Sequence, residues 1–289
     1  MSWYRNKSLR FGLLFITAVL CCLNICAAED TGAGMVGYKT ADDIFYLDMP
    51  EGKADALATQ FCRLEVLYPE NKKDVPVVIW LHGGGLQAGK KYFPEGFKKK
   101  DFVVVAVDYR LSPAVNCPVY IEDAAAAVAW TFRNVQKYGG DPDKIFISGF
   151  SAGGFLAAML GLDPQWLGKY GIKTTQLAGI ISISGMMTTH FAIRAERGDK
   201  SKVPVLDAFA PISHASADAP PLLLVNGDRE LDWPGRVEEN FLLARTMKIV
   251  GHKDTAIYEL QGHKHGDGLE TAAAPIILRW INQRSGDPM

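Results

Sequence analysis

Cysteine is scarce in this chain: five in 289 residues, three of them within the first 28. Beyond that point Cys62 and Cys117 supply material for at most one disulfide, and only in an oxidising compartment. Excess charge is also missing. The formal net charge is −1, and the only dense cationic run, Lys98, Lys99 and Lys100, reads as a solvated helix end after Phe97, so no nucleic-acid partner is expected. No internal repeat or low-complexity tract follows residue 28. A phosphate loop is excluded because Gly89, Lys90, Lys91 lacks the Gly-Lys-Ser/Thr ending that cradles phosphate.

A long apolar run is missing as well. Phe11–Leu20 is shorter than the roughly 20 residues that a spanning helix needs. Arg5, Lys7 and Arg10 precede it, and Cys26, Ala27 and Ala28 follow before Glu29 and Asp30. This pattern predicts a cleavable signal over residues 1–28, hence a secreted or periplasmic protein with no stable membrane span after cleavage; a retained anchor is the alternative. Ile25 before Cys26 argues against a lipoprotein signal. Cleavage removes three cations and no anions, taking the formal charge from −1 to −4.

What remains has 48% apolar and 22% charged residues over the whole chain, enough for one large core. Apolar runs of strand length recur at Arg63–Tyr68, Val77–Leu81, Phe102–Val107, Ile145–Ser148, Ala178–Ser182, Leu222–Val225 and Ala256–Leu260. Several are continuous, as strands buried on both faces must be. Helix-like stretches stand between and after them at Ile121–Tyr138, Ala152–Leu160, Pro234–Ile249 and Thr271–Gln283. The alternation predicts an α/β fold: a mostly parallel central sheet with helices on both faces, in a single domain over 29–289. Residues 186–220 lack clear strand character and are expected to form a small cap or pocket wall at the carboxyl edge of the sheet.

Residues 149–153 read Gly-Phe-Ser-Ala-Gly between an apolar strand and a small-residue helix. A serine hydroxyl is a poor nucleophile at neutral pH, so it must stand on a sharp turn where a base can reach it and backbone N–H groups can face the reacting carbonyl. That makes Ser151 the candidate nucleophile of an acyl-transfer enzyme. The run His82, Gly83, Gly84, Gly85 follows another strand, and glycines there leave backbone N–H groups unobstructed, as an oxyanion hole requires.

These motifs, together with Val107–Pro113 and Gly139–Pro142, resemble those of α/β-hydrolase-fold carboxylesterases, nearest to the hormone-sensitive-lipase-like and feruloyl/acetyl-xylan-esterase-like (BD-FAE type) enzymes. The resemblance runs from about Leu64 to the carboxyl end. It implies oxyanion donors at Gly84, Gly85 and Ala152, and a triad in the order serine, acid, histidine. Relatives usually carry the acid three positions after the glycine matching Gly227, which selects Glu230. Asp228 is the alternative acid, since relatives more often use aspartate, and whichever of the two is not the acid would cap the turn. Of His263 and His265, the resemblance selects His265, which stands before a small residue. A metal site built on that pair lacks further ligands, so neither metal nor cofactor is expected.

The resemblance also pairs Arg110 with Asp123, which could instead cap its helix; His82 is expected to shape the glycine loop, and Met186, Met187, Phe191 and Trp233 are candidates for pocket walls or for ordinary core packing. Leu86 and Phe150 depart from the residues common in relatives. The implied activity is an exported serine esterase acting on small esters or esterified carbohydrate, such as acetyl or feruloyl esters of plant polysaccharide. A peptidase or amidase of the same fold, or a catalytically inactive binding protein, is the rival.

Overall fold

Strands apolar on both faces need a helix layer on each side, and the chain folds in that way. A computed structural model describes residues 37–201, 203–266 and 268–286; the expected signal over 1–28 lies outside them. In chain order the elements are β1 (Tyr38–Phe45), α1 (Ala56–Phe61), β2 (Arg63–Pro69), β3 (Val75–Leu81), β4 (Val103–Val107), α2 (Val119–Asn134), β5 (Gly140–Phe150), α3 (Ala152–Leu162), α4 (Pro164–Gly168), β6 (Gly179–Ile183), α5 (Phe191–Glu196), β7 (Leu222–Asn226), α6 (Arg236–Ile249), β8 (Thr255–Glu259) and α7 (Leu269–Ser285). Eight strands form one sheet in the order β1-β2-β4-β3-β5-β6-β7-β8. The first two junctions are antiparallel, and all those from β4 onward are parallel. This is the α/β-hydrolase fold.

Successive side chains of each central strand enter opposite layers. Val77, Ile79 and Leu81 pack with Ile121, Ala124, Phe155 and Leu156 of α2 and α3, whereas Val78 and Trp80 pack with Leu269, Ile277 and Trp280 of α7. Every residue of α3 is buried, so this helix is apolar all round. The alanine face of α2 allows the same close approach to the sheet.

β1 is the strand that has no counterpart among the apolar runs. It pairs on one side only, has no fully buried residue, and carries a register shift between Ala41 and Ile44, so burial places little demand on its composition. Residues 186–220 contribute Met187, Ala192, Ile193, Ala210 and Ile212 to the main core, so this stretch is packed onto the sheet unit. Cys62 and Cys117 are both free thiols; burial pushes the Cys62 thiol up to about 12 and the Cys117 thiol up to about 11.

Candidate active site

The parallel strands end along one edge of the sheet, and the chemistry collects there. At the end of β5 the backbone reverses through Ser151, whose φ of 54° is left-handed and costs a non-glycine residue about 1–2 kcal/mol. The turn closes only because its flanks are glycine. A Cβ on Gly149 would stand 2.3 Å from the Gly153 carbonyl carbon, and one on Gly153 would stand 1.9 Å from the Leu81 carbonyl oxygen. The hydroxyl is thereby presented above the start of α3, where the first N–H groups of a helix have no partner within it. Ala152 is the first of these.

Gly84 and Gly85 take φ values of 111° and 67°. Among the described residues, neither N–H finds an acceptor. The loop lies against the elbow, since a Cβ on Gly83 would come within 3.4 Å of Ser151 Cβ. His82 is buried; its Nδ1 is 2.6 Å from the Gly83 carbonyl, and its ring stacks on Tyr109 at 4.4 Å between centroids. The Tyr109 hydroxyl donates to the His82 carbonyl at 2.7 Å. Burial holds the His82 imidazole below its ordinary pKa, so it braces the loop as a neutral ring. Further out, Arg110 grips Asp123 through Nε and Nη2 at 2.8 and 2.7 Å. That is the expected pair, with Asp123 lying inside α2 and not at its cap.

His265 closes the constellation. Its Nε2 is 2.9 Å from Ser151 Oγ, and its Nδ1 is 2.7 Å from Asp232 Oδ1. The nitrogen that faces a carboxylate carries the proton, which leaves Nε2 free to accept from the serine. Phe150 packs beside the imidazole at 4.9 Å. His263 does not enter the site; its carbonyl accepts from the Asp228 N–H at 2.8 Å.

The acid position corrects the sequence expectation. Neither Glu230 nor Asp228 meets His265. Glu230 is exposed. Asp228 accepts from the Glu230 and Gly262 N–H groups at 2.9 and 2.8 Å, so it caps the turn. The physical reason is one extra helical step. The Leu231 and Asp232 N–H groups both return to the Asp228 carbonyl, which carries Asp232 inward, five residues after Gly227.

The Asp232 side chain is fully enclosed. Burial alone would raise its pKa, but hydrogen bonds from His265, Ser184 and the Trp233 N–H outweigh that and hold it below the usual carboxylate range. The Gly227 N–H adds a further donor at 3.0 Å. Asp232 stands in the same segment, two residues beyond Glu230, and no local signal marks Ser184.

A mostly apolar cavity of about 810 Å³ borders the site, lined by Met186, Phe191, Leu206, Trp233 and Leu242 with Arg194 and Glu238 at its polar side. Trp233 stands at 89° to the His265 ring, 6.0 Å between centroids, and a Cβ on Gly85 would touch Phe191 at 3.0 Å, so the cavity adjoins both His265 and the glycine loop. Three of the four expected pocket walls line it. Met187 does not, being fully buried in the core.

The BD-FAE family model matches residues 64–234. Esterase LipC of Mycobacterium tuberculosis is 29% identical over 241 residues, covering 73% of this chain and 59% of its own length. Versiconal hemiacetal acetate esterase of Dothistroma septosporum is 31% identical over 181 residues, covering 56% of this chain and 51% of its own. The chain thus spans little more than half the length of these curated relatives. Among solved structures, a truncated carbohydrate esterase from gut microbiota superposes with a TM-score of 0.71 at 19% identity, covering 90% of this chain and 99% of that one. An inhibited esterase B from Lactobacillus rhamnosis reaches a TM-score of 0.65 at 18% identity, covering 86% and 88%. At such identity these two establish the shared fold.

Proposed function

The chain belongs to the BD-FAE family, and from that premise we propose that it is an exported serine carboxylesterase working through an acyl-enzyme on Ser151. One observation carries the reading: His265 stands 2.9 Å from Ser151 Oγ on one nitrogen and 2.7 Å from the enclosed Asp232 on the other. His265 Nε2 takes the serine proton as Oγ attacks the ester carbonyl. Asp232 remains ionised and stabilises the imidazolium without taking the proton itself. The N–H groups of Gly84, Gly85 and Ala152 receive the oxyanion, each such donor being worth roughly 3 kcal/mol in the transition state. His265 then protonates the leaving alcohol, and water, activated by the same imidazole, releases the acid.

The apolar cavity supports an acyl group larger than acetyl. Each methylene buried against such walls contributes about 0.8 kcal/mol, and Phe191 and Trp233 offer faces to an aromatic acid. We therefore favour feruloyl-type over acetyl esters of plant polysaccharide. Export rests on the pattern of residues 1–28.

The test uses protein lacking residues 1–28, assayed on p-nitrophenyl esters of increasing acyl length and on acetylated and feruloylated xylan. Turnover rising from acetyl to longer or aromatic acyl groups is expected, abolished by Ser151→Ala. No turnover across the panel, or turnover unchanged in Ser151→Ala, refutes the esterase; a maximum at acetyl refutes the acyl assignment alone.

A further inference from the structure

Ser184 lies one residue beyond the end of β6, with a left-handed φ of 47° that serine rarely adopts. Three hydrogen bonds from two elements hold this corner. Its N–H donates to the Val225 carbonyl of β7 at 2.8 Å, its carbonyl accepts from Arg236 Nη1 of α6, and Asn240 Nδ2 donates to the next carbonyl, that of Gly185, at 2.8 Å. Gly185 is pressed on α3 so closely that a Cβ would stand 2.6 Å from the Gly154 carbonyl carbon. Arg236 is itself buried, an expensive placement for a guanidinium that ties one nitrogen to this corner.

The clamped backbone aims one small group. Ser184 Oγ is 2.6 Å from Asp232 Oδ2 and 3.0 Å from His265 Nδ1. A hydroxyl has one hydrogen and two lone pairs. The ionised carboxylate can only accept, so the hydrogen goes to Asp232 and a lone pair is left facing the Nδ1–H. The same oxygen therefore touches both members of the Asp232–His265 pair from the side.

We infer that Ser184 is a positioning residue, acting through Asp232 and His265. It holds Oδ2 so that Oδ1 meets the imidazole, and it offers the imidazolium a second acceptor while Ser151 is deprotonated. No bond at Ser184 is made or broken. The inference rests on the serine-esterase reading, and it assigns the strained corner a function in the rate of the reaction.

Glycine takes a left-handed φ without strain, so Ser184→Gly removes the hydroxyl while relaxing the backbone. In the protein lacking residues 1–28, we expect kcat to fall about tenfold with KM within about twofold and no loss of Tm, the size of one net hydrogen bond in the transition state. Placed on an Asp232→Asn background, the same substitution is expected to cost less than about twofold further, because its partner carboxylate is already gone. Ser184→Ala repeats both readings if the glycine variant is poorly soluble. A kcat within about twofold of the parent, or a tenfold loss that recurs on the Asp232→Asn background, overturns the assignment. If Ser151→Ala is inactive while Ser184→Gly is fully active, this inference alone falls; if Ser151→Ala is active, the esterase reading falls first.

Discussion

The turn that carries Ser151 and the turn that carries Asp232 end strands two positions apart in one sheet, yet they are specified differently. Within the elbow, Gly149 and Gly153 approach each other to a distance that only hydrogen at Cα allows, and Ser151 takes a positive φ between them. Five consecutive residues state that requirement. The turn after β7 offers Asp228, Glu230 and Asp232 on alternate positions, with nothing local to rank them. The ranking comes from the helical step at Asp228 together with a segment more than thirty residues downstream: the His263 carbonyl accepts from the Asp228 N–H, and the Gly262 N–H donates to the Asp228 carboxylate. The lesson is that a steric constraint is written where it acts, whereas a carboxylate's role is set by what folds onto it.

The contrast is tested most severely by exchanging the three carboxylates one at a time. Asp232→Asn is expected to lower kcat by about 10⁴-fold, the scale seen when the orienting acid of such a triad becomes an amide. Glu230→Gln should leave kcat within about twofold, because an exposed substitution without partners is nearly neutral. The opposite ranking in steady-state assays would restore Glu230 as the acid. On the elbow side, Gly153→Ala drives a methyl into the Leu81 carbonyl. A stability loss of about 3 kcal/mol or more is expected in urea unfolding, since backbone cannot yield as a side chain can. A loss under 1 kcal/mol would show that the elbow has room to spare.

A smaller effect separates the two regions by pH. His190 is buried against Phe155 of α3, and burial, then the nearby Arg236 and Arg194, lower its pKa to about 3 from 6.5. The folded pKa is the lower one, so between pH 6.5 and 3 the unfolded chain binds a proton that the native state refuses. Stability from this group is complete above pH 6.5 and declines as the pH falls toward 3, by roughly 1 kcal/mol per pH unit. His190→Asn keeps a side-chain acceptor for the α5 N-terminus and should flatten that decline in thermal melts. An unchanged pH dependence would assign the acid sensitivity to other groups. Asp228→Asn is expected to cost about 1 kcal/mol of stability with activity reduced only severalfold, as for a lost turn cap. A loss as deep as that of Asp232→Asn would mean that the cap positions the acid directly.

Much of the architecture was legible because burial on both faces forces continuous apolar strands. Val77–Leu81 and Leu222–Val225 declare themselves in this way, and β3 and β7 contain them. β1 was not legible: an edge strand with Asp42 and Asp43 in it makes one set of ladder bonds and buries little. The short helices α1, α4 and α5 were missed as well, being too brief for a helical period to show. Position after the last strand offered His263 and His265, and the resemblance singled out His265; Ser184 was not legible, because its value lies in a left-handed backbone that β7 and α6 hold in place.

By itself the sequence determined the sheet, the elbow around Ser151 and the glycine loop, since each is imposed by neighbours along the chain or by burial that composition records. Tertiary structure alone decided that Asp232 is the carboxylate beside His265, that Ser184 touches both, and that Phe191 and Trp233 line one cavity. Those facts depend on distances between residues far apart in the chain, and such distances exist only once the layers have packed.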